Sequence, residues 1–189
     1  MKKDTKYYFD LIDNKITVDV SLILSEVDSM YHYGSKEFIV VTYAFEKLEE
    51  IADSSCVDKL LSYITGSIHD YSSKKFSSLS ILGYIADEQS EKYIIKYMDS
   101  NHPDLAFIAF CSVCEMVIRN TLSKQASSNI VDYIQAMVIN HTGSNDEVLT
   151  GVRTLKRMNH KSFERIRNTA LSDYSEIQYE LNNTGWFLD

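Results

Sequence analysis

The chain has 189 residues, 44% of them apolar and 24% charged, which fits one globular domain with a real core and excludes a disordered segment or two full-sized domains. Its net charge of −8 argues against a surface built for nucleic acid or anionic lipid, because such surfaces carry an excess of Lys and Arg. One proline and six glycines are too few for the many tight turns of a sandwich or barrel, so the composition predicts helices.

The start, MKKDTKYYFDLID, mixes acids with its apolar residues and lacks an apolar run followed by a small-residue cleavage site, so no export signal is expected. Periodicity then takes over. Val20, Ile23, Leu24, Val27 and Tyr31 recur at the helical interval and predict an amphipathic helix over 17–32. A second helix runs from Gly34-Ser35 to about Ala52, with Val41, Ala44, Phe45, Leu48 and Ile51 on its buried stripe. A third opens at Ser55, whose spacing to Asp58 is that of a capping box with Asp in place of Glu; it buries Val57, Leu60, Leu61, Ile64 and Ile68.

The same unit returns as a helix over 73–86, a break at Asp87-Glu88, and a helix carrying Ile94, Ile95 and Met98. After a turn at Asp99 to His102, Pro103 takes a first helical position and the chain is helical to about Leu122. This segment is apolar almost all round. Its apolar stretch from Leu105 to Ile118, which contains Ser112 and Glu115, is short of the roughly 20 residues that cross a bilayer, so it reads as a buried core helix. A helix with Ile130, Val131, Ile134, Met137 and Val138 follows. The capping box Ser144 to Glu147 then opens a helix with Val148, Val152 and Leu155, and a helix with Phe163, Ile166 and Ala170 completes the last pair.

First helices start near 35, 73, 103 and 144, the irregular spacing of helical repeats in which each pair covers its neighbour's apolar face. Leu82-Gly83, Ile85, Asp87, Ile94, Ile95, Met98-Asp99 and, after the turn, Pro103, Asp104, Ala106 and Ala109 resemble the HEAT-like repeat pattern over about one and a half repeats. The chain departs from that pattern where such repeats often carry an arginine after the turn; Ala106 and Leu149 stand there instead. The resemblance implies one all-α domain over 1–189, a right-handed HEAT-like stack of antiparallel helix pairs with about 9 to 11 helices.

Catalytic motifs are sparse. Cys111-Ser112-Val113-Cys114 has the spacing of a redox or metal pair, but it lies inside an apolar helix with no preceding strand, and the two cysteines read as small core hydrophobes. With Cys56 the cysteine count is odd, which predicts no disulfide framework and a reducing, cytoplasmic setting. His160 and Glu164 share a helix face but lack the further ligands of a metal site. There is no GxGxxG, GxxxxGK[ST] or GxSxG. The expectation is a binding protein without metal or cofactor, not an enzyme.

Charge is the informative part. Glu46, Glu49, Glu50 and Asp53 fall on one helix face in the last turns, where like charges and the macrodipole each disfavour them by a few tenths of a kcal/mol. They read either as a solvated face or as a contact surface for a basic partner. Tyr63, Tyr93, Tyr97 and Tyr133 lie on the second helices of the pairs and form a second candidate contact set. The run 153–167 holds Arg153, Lys156, Arg157, Lys161, Arg165 and Arg167 against Glu164 alone; Lys156 and Arg157 suit a helix C-terminus, a sufficient account of them. The tail from Asp173 is acidic and aromatic; it reads first as a cap that packs Trp186 over the last pair, and otherwise as an exposed acidic-aromatic contact segment.

In size, architecture and charge the chain is similar to HEAT-like immunity proteins of bacterial toxin systems, including contact-dependent growth inhibition. That resemblance implies a cytoplasmic inhibitor that blocks the active site of a cognate toxin domain, basic if the toxin is a nuclease. Two alternatives keep the same fold: a scaffold or adaptor for another protein, and a nucleic-acid protein resembling HEAT-like DNA alkylation-repair glycosylases. The net charge disfavours the last.

Overall fold

In the computed structural model the residues described are 20–29, 45, 47–49, 51–65, 73–158, 163 and 177–179. Among them all regular structure is helical. The helices are α1 (Val20–Ser29), a 3₁₀ turn (Ser54–Cys56), α2 (Val57–Thr65), α3 (Ser73–Ile85), α4 (Glu88–Met98), α5 (Pro103–Ile118), α6 (Lys124–Asn140) and α7 (Asn145–Arg157). Phe45, Lys47, Leu48, Glu49 and Ile51 are helical as well. No described helix is long and apolar enough to cross a membrane.

Helix starts follow side-chain chemistry. Asp87 caps α4 by accepting from the Ser90 amide at 2.7 Å, and Ser123 caps α6 by accepting from the Ala126 amide. Ser144 and Glu147 form the reciprocal capping box expected at α7. Pro103 is the first residue of α5, and the His102 ring nitrogen Nδ1 accepts from the Leu105 amide at 3.4 Å. The capping box expected from Ser55 to Asp58 is replaced by a different device. Asp53 accepts from both the amide and the hydroxyl of Ser55, nucleating the 3₁₀ turn ahead of α2.

Helix ends explain how so few glycines suffice. Ala86, Asn120 and His141 take left-handed conformations, with φ of 53°, 56° and 50°. At Asn120 the Thr121 amide reaches back to Met116 and the Asn120 amide to Val117, a Schellman closure; α5 therefore ends at Ile118, before the expected Leu122. At His141 the Thr142 amide bonds the Met137 carbonyl in the same way. Ala86 closes α3 with a single bond to Leu82.

The chain divides into two compact units, Met1–Ser112 and Val113–Asp189. In the first, α2 packs on α3 and α3 on α4. Helices two apart also touch, and they run the same way. Gln89 donates to Asp58 at 3.3 Å near the starts of α4 and α2, and Tyr97 donates to the Ile64 carbonyl at 3.3 Å near their ends. Likewise Phe76 of α3 meets His102 at the head of α5, and further along Ser112 donates to the Leu79 carbonyl at 3.1 Å. Gly83 allows this approach: a Cβ there would lie 2.8 Å from the Ser112 Cβ. Phe45, Leu48, Leu60, Leu79, Leu82 and Ile94 fill the interior. Ile51, expected on the buried stripe, is 38% exposed, because it sits in the last turn before the chain leaves the helix.

In the second unit α6 packs on α7. Ile134, Met137 and Val138 press on Gly151, whose missing side chain brings the two helices close, and Val148, Val152 and Leu155 are buried beside it. Arg157, the last residue of α7, pairs with Glu115 in the last turn of α5.

Candidate functional site

The two candidate surfaces behave differently once folded. Of the acidic stripe, Glu46 and Glu50 lie outside the described residues. Glu49 is half-buried, and Asp53 is exposed but occupied as a cap. Its bond from the Ser55 hydroxyl, then that from the Ser55 amide, hold its carboxyl below the usual carboxylate range. Asp53 therefore has a local structural reason to be acidic, which helix periodicity alone does not supply.

The tyrosines separate into two kinds. Tyr63 stands edge-on to Phe45, with ring centroids 6.4 Å apart at 76°, and the Lys59 ammonium lies 5.2 Å over its face. Its hydroxyl reaches the Leu24 carbonyl of α1 at 3.5 Å. Tyr97 repeats the arrangement one helix pair later, through Ile64. Both rings are half-buried, and each joins a helix to one earlier in the chain. Burial pushes the Tyr97 phenol above its ordinary value, and the neighbouring Tyr93 adds to the shift. Tyr93 is half-buried. Tyr133, at the corresponding spacing on α6, is 49% exposed. The structure thus brings Tyr93 and Tyr97 together and ties Tyr63 and Tyr97 to backbone, leaving Tyr133 as the candidate with the most open ring.

Sequence reasoning passed over Tyr84, which is 41% exposed on α3. Nothing in its local sequence separates it from a core tyrosine, because its exposure depends on which side of α3 the neighbouring helices cover. The Cys111–Cys114 pair lies in the middle of α5, with Cys114 buried and Cys111 half-buried. Among the described residues no group of three or more His, Cys, Asp or Glu side chains gathers as a metal site would. His160, Glu164, Lys161, Arg165, Arg167, Trp186 and the rest of the acidic tail beyond Tyr179 lie outside the described residues.

Charge is unevenly shared. Met1–Ser112 contains 18 acidic and 11 basic residues, a net −7, whereas Val113–Asp189 contains 9 and 8, a net −1. Arg157, at the centre of the basic run, is engaged with Glu115. Compared with known families, curated proteins and solved structures, the chain shows no significant match.

Proposed function

We propose that this chain is a HEAT-like stack of antiparallel helix pairs that binds and neutralises a basic bacterial toxin domain in the cytoplasm of the cell that makes it. The stack is supported by the same-direction contacts between helices two apart, Asp58 with Gln89, Ile64 with Tyr97 and Leu79 with Ser112, at offsets of 31 to 33 residues allowed by repeats of that length. The observation that carries the function is the concentration of net charge, −7 of the total −8, in Met1–Ser112. A surface so biased steers a cationic partner in and repels nucleic acid. The acidic stripe around Glu49 and the exposed tyrosines are the contact residues of this reading, with the active site of the toxin as the region covered.

Copurification of the tagged full chain from its native host, with mass spectrometry of what it retains, tests the reading. The expected partner is a basic toxin domain encoded next to this chain, held at equal stoichiometry, whose toxicity is abolished when the chain is coexpressed. Retention of a non-toxic partner would instead make the chain an adaptor. Failure of coexpression to protect cells from the neighbouring toxin would overturn the immunity reading outright.

A further inference from the structure

We draw no further inference here: the strongest candidate, the outward arc of α6 from Gln125 through Asp132 and Tyr133 to Asn140, is an exposed helix face, and nothing in the structure shows what covers it.

Discussion

The Tyr97 hydroxyl donates to the Ile64 carbonyl, tying the end of α4 to the end of α2 across 33 residues of chain. Ile64 lies in the last turn of α2, where carbonyls have no partner within the helix, so the phenol satisfies a group that would otherwise need water. The bond is long, which puts its worth near the low end of the usual range, about 0.5 kcal/mol. Tyr97→Phe should cost roughly that in denaturant unfolding.

The same residue predicts an alkaline limb. The folded-state value of Tyr97 is raised, so as pH climbs past the ordinary 10.0 the unfolded chain releases this proton before the folded one does. Unfolding is then favoured, and stability falls as pH rises through the folded value. Above pH 10, the stability of wild type should decline more steeply than that of Tyr97→Phe. Parallel curves would show that Tyr97 contributes nothing to the limb.

Gly83→Ala sets two effects against each other. Alanine gains about 1 kcal/mol of helix propensity over glycine in an exposed helix. Here its Cβ would meet the Ser112 Cβ at 2.8 Å, the Ser112 Cα at 3.2 Å and the Ser112 carbonyl at 3.3 Å, and backbone atoms cannot step aside as a flexible side chain can. Overpacking of this kind costs about 1–3 kcal/mol, so the net expectation is destabilisation. A rise in thermal midpoint would mean that α3 and α5 are not held this close.

Ala86→Gly should act in the opposite direction. A left-handed conformation costs an ordinary residue about 1–2 kcal/mol and glycine almost nothing, while glycine gives part of that back in unfolded-chain entropy. A net gain of about 0.5–1 kcal/mol follows, a rise of roughly 2–4 °C per kcal/mol in the midpoint for a chain of this size.

Ser78 and Ser90 are fully buried, and among the described residues neither hydroxyl has a hydrogen-bond partner. A buried hydroxyl without a partner costs about 1–3 kcal/mol, and alanine is the better helix former. Ser78→Ala and Ser90→Ala should each stabilise by about 1 kcal/mol in chemical denaturation. A loss in either would point to a bond made through bound water.

The functional prediction concerns the stripe. Because Asp53 is a cap, reversing it confounds folding with binding; the informative variant reverses Glu46, Glu49 and Glu50 to lysine and keeps Asp53. Its helical circular dichroism should match wild type. Association with the toxin domain should slow and lose salt sensitivity. Reversal of Lys161 should leave binding intact, whereas Arg157 is unsuitable as a control because it pairs with Glu115, and Lys156 because it too is engaged in the fold. Wild-type protection by the stripe variant would exclude this surface and turn attention to Tyr133 and Tyr84.

Local order decided much of this protein before any folding is considered. The apolar spacing marked α1 to α7, the Ser144–Glu147 box and Pro103 marked two helix starts, and the break before Glu88 fell at the residue where Asp87 caps α4. These signals act between residues three or four apart, within reach of a sequence reading. The Ser55 cap failed at the same scale, because Asp53, two residues upstream, takes the amide that the box would have given to Asp58. What the tyrosines do was left to tertiary structure. Tyr63, Tyr97 and Tyr133 recur at nearly equal intervals on second helices, yet two are half-buried with hydroxyls on carbonyls 39 and 33 residues earlier, and the third lies open. A hydroxyl satisfied by a distant backbone carbonyl leaves no trace in its neighbours, so only the packed helices separate a staple from a surface residue.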